Sequence, residues 1–216
     1  MIRAAVFDLD GLLVESEEDW ERARRDVVAG FGAAWTVDDQ RAVLGTNMRQ
    51  CCRYINERYR SPHRDERLGE LLVARRMEIY GERLVVLPGA VEAVNALAET
   101  YPLAIASSSP PAVIRFVVGQ LGLADRFRAV ASSDEVERGK PAPDVYLLAC
   151  ERLGLVGAEA VAFEDSEPGI RAAAAAGVRV VAVPNPAYPP SIAALALADL
   201  VLPSFAAFRP EALAQW

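Results

Sequence analysis

Two aspartates, Asp8 and Asp10, flank Leu9 directly after the apolar run 4–7, and Gly11 follows them. Side chains two apart in an extended chain project to the same side, so both carboxylates can face one site. Three further apolar runs end in polar groups. Ser107, Ser108 and Ser109 follow 103–106; "SSDEVERGKPAP", which carries Lys140, follows 129–131; Glu164 and Asp165 follow 160–163. Ligands of an open α/β sheet sit beyond the carboxyl ends of its strands, so these groups would share one edge.

Carboxylates crowded at such an edge are unfavourable unless a cation holds them or some stay protonated. Hard oxygen ligands with no histidine or thiolate suit Mg²⁺, which keeps waters and takes a substrate phosphate oxygen. A carboxylate there can act as a nucleophile and form an aspartyl-phosphate. Its neighbour can protonate the leaving oxygen and then activate water. Lys140, with the hydroxyl and amides near Ser107, would stabilise charge on the transferring phosphoryl group. Gly11 lets the chain turn sharply after the acidic pair.

Composition removes several other chemistries. The single histidine, His63, sits in a charged polar stretch, so Ser-His-Asp, Cys-His and multi-histidine metal schemes are not expected. Cys51, Cys52 and Cys150 cannot make a disulfide framework and read as reduced thiols of a cytoplasmic protein. The net charge of −7 argues against nucleic acid and anionic membrane surfaces, which need a basic face. No apolar stretch approaches the roughly 20 residues that span a bilayer, and the run 4–7 is too short for a secretory signal. A monomer is expected, with a dimer as the alternative.

The elements that must position these residues follow from hydrophobic pattern. Apolar runs at 4–7, 103–106, 129–131, 160–163 and 179–183, with 200–202 as a sixth, alternate with helical stretches at 90–99, 112–122, 144–153 and 168–176. Near-continuous apolar strands separated by helices indicate a parallel sheet covered on both faces, a doubly wound α/β core. Between 16 and 84 no convincing strand occurs. "WERARRDVVAGFG", "VDDQRAVLG", "NMRQCCRYINERY" and "DERLGELLVARRMEIYGERL" read instead as four helices. The expected organisation is a core of 1–15 and 86–216 with a small helical cap, 16–85, inserted after the first strand.

"FDLDG", the serine after "LAIAS", "GKPAPDVY" and "FEDSEPGI" resemble, in order and spacing, the four signature motifs of the haloacid dehalogenase superfamily. The helical insertion resembles the branch whose cap follows the first motif. The resemblance implies a Rossmann-like core in which Asp8 is nucleophile and Mg²⁺ ligand. Asp10 would be the general acid and base and would ligate the metal through its carbonyl. Ser107 and Lys140 would hold the phosphoryl group, Asp165 would ligate Mg²⁺, and Glu164 would assist. The dehalogenases lack the second acid, so Asp10 points to phosphoryl chemistry. "ASSSPP" resembles the hexitol and deoxysugar phosphate phosphatases, whereas the β-phosphoglucomutases carry Ser-Lys-Asn there. The implied activity is hydrolysis of a small phosphate ester, a sugar or polyol phosphate, with a mutase as the alternative. A non-catalytic regulatory protein on this scaffold would be expected to lack one of Asp8, Asp10, Lys140 or Asp165. Ser108, and Trp20, Arg49 and Arg76 of the cap, are expected to touch substrate.

Overall fold

The computed structural model describes residues 1–43, 46–186 and 188–216. The first strand, β1 (Ala4–Phe7), leads through a tight turn to a two-residue strand, β2 (Val14–Glu15). Four helices follow: α1 (Glu17–Ala29), α2 (Val37–Val43), α3 (Met48–Tyr59) and α4 (Asp65–Glu82). Leu44 and Gly45, the expected end of the second helix, lie outside the described residues. β3 (Val85–Val86) then returns to pair antiparallel with β2, Val14 opposite Val86 and Glu15 opposite Val85. The pair joins the outgoing and incoming chains of the helical segment. At two residues each, β2 and β3 carry no readable alternation, and the sequence pattern did not reveal them.

The rest alternates helix and strand: α5 (Ala90–Ala98), β4 (Leu103–Ser107), α6 (Pro111–Gln120), β5 (Phe127–Ser132) and α7 (Asp144–Arg152). β6 (Ala160–Glu164), α8 (Glu167–Ala175), β7 (Arg179–Ala182), α9 (Ile192–Leu195) and β8 (Leu200–Val201) complete it. The six long-sheet strands run in the order β5-β4-β1-β6-β7-β8, and every pair is parallel. The doubly wound α/β core expected from the sequence is present, and the order reverses at β1. None of the helices in the described residues is long and apolar enough to cross a membrane.

The two faces of the sheet are packed differently. Phe7, Leu103, Ile105, Val161 and Phe163 point to one face and join buried residues of α5 and α6. The alternate positions, Val6, Ala104, Ala106, Ala160, Ala162 and Ala182, are mostly alanine and meet α7 and α8. Small side chains let those helices approach the strands closely, and α8 itself presents Ala172 and Ala173. On the large-residue face Phe7 stacks on Phe163 at 4.8 Å between ring centres, and Phe205 and Phe208 close over Phe163. The helical segment has its own buried cluster, including Trp35, Cys51, Ile55, Leu68 and Leu72. Because Phe163 is fully buried among aromatic rings, Phe163→Ala is expected to cost about 3–5 kcal/mol in urea unfolding; a loss below about 1 kcal/mol would mean that this face repacks freely.

Candidate active site

The register Phe7 opposite Phe163 places the next residue of each strand, Asp8 and Glu164, side by side at the carboxyl edge. Asp8 N–H still donates to the Phe163 carbonyl at 3.1 Å. Lys140 reaches between them from the loop after β5, its Nζ 2.8 Å from Asp8 Oδ1 and 2.5 Å from Glu164 Oε1. Tyr146 Oη on α7 donates to the same Glu164 oxygen at 2.8 Å. Glu164 Oε2 accepts from Asp165 N, Ser166 N and Ser166 Oγ at 3.1–3.2 Å. Both oxygens of Glu164 are therefore engaged by the protein, tying it to Lys140 and to the turn into α8. Gly169 is required here, since a Cβ would lie 1.8 Å from Glu164 Oε1.

Asp10 sits in the turn after β1. Ser109 Oγ and Ser107 Oγ donate to its Oδ2 at 2.6 and 3.3 Å, and Trp20 Nε1 donates to Oδ1 at 3.3 Å. Gly11, with φ +79°, closes the turn through its N–H to the Val14 carbonyl at 2.8 Å. A Cβ there would lie 2.3 Å from Asp165 Oδ2, so the glycine also makes room for that carboxylate.

These groups open into a cavity of about 400 Å³. Its core end is lined by Asp8, Asp10, Lys140, Asp165 and Asn185, with Ser108, Ser109 and Pro110 beside them. The helical segment supplies Glu17, Trp20, Arg24, Asn47, Met48 and Leu72 on the other side. Asn47 caps α3 by accepting from Gln50 N at 2.9 Å, and its amide packs against Gly139, next to Lys140.

Of the residues expected to touch substrate from the cap, Trp20 lines the cavity, but Arg49 and Arg76 do not. Arg49 is exposed: Asn47 and Met48 at the start of α3 turn to the cavity, and the next residue is rotated about 100° away. Arg76 is fully buried behind the wall, its guanidinium over the rings of Tyr80 and Trp20 and 3.9 Å from Asp10 Oδ1. Ser107 is fully buried and turned to Asp10, so of the three consecutive serines it is Ser108 and Ser109 that line the cavity. The sequence reading missed Ser109 as a partner of Asp10, Tyr146, Asn47 and Asn185. It also missed Glu17 and Arg24, although 17, 20 and 24 form a helical stripe that periodicity can find.

Burial governs the electrostatics. It raises the Asp8 pKa from 3.8 to about 7; Glu164 and Asp10 add to the rise and Lys140 opposes it. Burial, then Glu164 and Asp8, push Asp165 well above the carboxylate range. Burial disfavours the Lys140 charge, but Asp8 and Glu164 outweigh it and its pKa is raised. Asp8, Glu164 and Asp165 each offer an oxygen within 4.8 Å of the others. Asp165 Oδ1 is buried with no hydrogen-bond partner. With Glu164 engaged, Asp8 and Asp165 fit a hard divalent cation, which would relieve both the repulsion and the unpaired oxygen.

A sequence model of the haloacid dehalogenase-like hydrolases matches residues 2–177. The chain is similar to hexitol phosphatase B of Escherichia coli (strain K12), 37% identical over 193 residues, 86% of this chain and 85% of that protein. It is 32% identical to the fructose-1-phosphate phosphatase YqaB of the same organism, over 82% of this chain and 94% of that one. In structure it resembles CbbY from Rhodobacter sphaeroides, crystallised with phosphate: TM-score 0.87, 28% identity, 96% of each chain covered.

The cation site has a pH signature. A carboxyl raised on folding, as Asp8 is from 3.8 to about 7, binds more protons folded than unfolded between those values. Through Asp8, the cation-free protein therefore loses stability as pH rises through that window. A divalent cation competes with those protons, so the Tm increment it gives should be larger at about pH 8 than at about pH 5. Equal increments in calorimetry would remove Asp8 and Asp165 as ligands.

Proposed function

The chain belongs to the haloacid dehalogenase-like hydrolases and is a phosphoric monoester hydrolase, and from that premise we propose that it hydrolyses a small sugar or polyol phosphate, with Mg²⁺, through an aspartyl-phosphate. The observation that carries this reading is the convergence of Asp8, Lys140 and Asp165 at one end of the cavity, with Asp10 beside them. Asp8 and Asp165, with the Asp10 carbonyl, would hold Mg²⁺, which when bound supplies positive charge to the buried carboxylates and phosphoryl oxygens.

Asp8 attacks phosphorus, and the bond to the ester oxygen breaks. Asp10 gives that oxygen a proton, and the alcohol leaves. Asp10 then takes a proton from water, whose oxygen attacks phosphorus and releases phosphate and Asp8. Lys140 offsets negative charge on Asp8 and on the phosphoryl group, and Glu164 and Tyr146 hold the lysine in place. The serines and Trp20 around Asp10 orient its carboxylate towards the leaving oxygen. The segment 16–85 acts as a cap that excludes bulk water from the reacting groups.

Asp8→Asn keeps the side-chain shape and removes the nucleophile. Turnover should fall by roughly 10³-fold or more while the melt stays cooperative, its Tm shifting because a buried partner of Lys140 is lost; residual turnover near wild type would take the nucleophile role from Asp8. Asp10→Asn should lower kcat on a hexitol phosphate by roughly 10²–10⁴-fold, and much less on p-nitrophenyl phosphate, whose leaving group needs no proton. Equal losses on both would exclude leaving-group protonation by Asp10. Interconversion of sugar 1- and 6-phosphates without phosphate release would replace the hydrolase by a mutase.

A further inference from the structure

One wall of the cavity carries a charged pair that the phosphoryl chemistry does not use. Glu17 and Arg24 lie on α1, three residues before and four after Trp20, which touches Asp10. The three therefore share one face of the helix, and all three line the cavity. Because Asp10 protonates the leaving oxygen in the reading above, the group bonded to that oxygen must extend along this face.

The pair is held in place. Arg24 Nη1 donates to Glu17 Oε1 at 3.3 Å and to Gln40 Oε1 at 3.2 Å. Gln40 Nε2 donates back to the same Glu17 oxygen, and Trp35 Nε1 donates to Gln40 at 3.1 Å. Arg24 is only 7% exposed, and its guanidinium stands 5.7 Å from the Trp20 ring centre. Yet capacity is left over. Arg24 Nε is buried with no partner, and no hydrogen bond from the described residues reaches the second Glu17 oxygen. No hydrogen bond from the described residues uses Arg24 Nη2 either, and the residue lines the cavity, so a ligand acceptor can meet the guanidinium there.

We propose that Glu17 and Arg24 read the leaving group and select an uncharged polyhydroxyl alcohol over one that carries a second anionic group. A hydroxyl both donates and accepts, so adjacent hydroxyls can donate to Glu17 and accept from Arg24. A second phosphate or a carboxylate only accepts, and it would meet the Glu17 charge. Of the cations in the described lining, Lys140 is committed to Asp8 and Glu164, and Arg24 is neutralised by Glu17. Trp20 and Met48 supply apolar surface for the carbon-bound hydrogens of such an alcohol. This inference rests on the hydrolase reading and narrows its substrate class.

The test measures kcat/KM for wild type, Glu17→Gln, Arg24→Met and Arg24→Lys with Mg²⁺. The substrates are a hexitol phosphate, a hexose 1,6-bisphosphate and acetyl phosphate, whose leaving group is too short to reach the pair. Wild type should prefer the hexitol phosphate to the bisphosphate. Both arginine variants should lose about tenfold more on the hexitol phosphate than on acetyl phosphate. Glu17→Gln uncovers the Arg24 charge and should move the ratio of bisphosphate to hexitol phosphate about tenfold towards the bisphosphate. Parallel losses on all three substrates, or an unmoved ratio in Glu17→Gln, would overturn the proposal while leaving the hydrolase intact. Should Arg24→Met fail to fold, Arg24→Lys and Glu17→Gln decide. No phosphate release from any substrate by wild type would overturn the hydrolase reading itself, and this inference with it.

Discussion

Lys140 Nζ lies within hydrogen-bond distance of Asp8 and Glu164, with Asp165 beside them, and almost none of these groups is in contact with bulk solvent. Three carboxyls and one ammonium are unfavourable away from water unless each charge is matched, and the loss of one partner leaves the others uncompensated. Much of the core follows from that requirement. β1 and β6 must be neighbours in a register that brings Asp8 level with Glu164. α7 must come close enough to deliver the Tyr146 hydroxyl, and the first turn of α8 must carry a residue lacking a side chain, Gly169, where Glu164 lies. What protein groups leave unmatched, the excess negative charge and the bare Asp165 oxygen, is the opening for a cation and an anionic ester.

The unequal faces of the sheet serve the same end. Phenylalanine, leucine and isoleucine on one face supply most of the apolar volume under α5 and α6. Alanine on the other face adds little volume but brings α7 and α8 near the strands, and those helices carry Tyr146 and Gly169 to the edge. Packing and chemistry are thus coupled through side-chain size. A bulkier residue at Ala162 or Ala182 would push a helix outward and loosen the grip on Glu164 before it touched any reacting group.

The helical segment contributes to the site mainly through α1. Trp20 ties it to Asp10, Arg76 lies over both the indole and the Tyr80 ring, and Gln40 joins α2 to Glu17 and Arg24. The core end of the cavity is dominated by net charge, whereas the α1 wall offers a neutral pair of opposite charges. That division suits one anionic group at the core end and an alcohol at the other.

The sequence by itself determined the class of chemistry and the layout of the core. Strand runs that end in Asp8, Ser107 and Glu164 are local signals, because an apolar strand and the turn after it are encoded by adjacent residues. Alternation of strand and helix was equally legible, as was the break from it between 16 and 84. What stood beyond reach were pairings across long separations. Ser109 rather than Ser108 turns to Asp10, Arg76 hides behind Trp20, and Arg49 faces solvent. Each depends on a helix rotation or loop path set by packing against distant residues, so no local pattern records it. Only the tertiary structure could decide that Glu164 spends both oxygens on the protein while Asp165 keeps one bare. Adjacent acids look alike in sequence, and they become different when burial and hydrogen bonding are assigned to them separately.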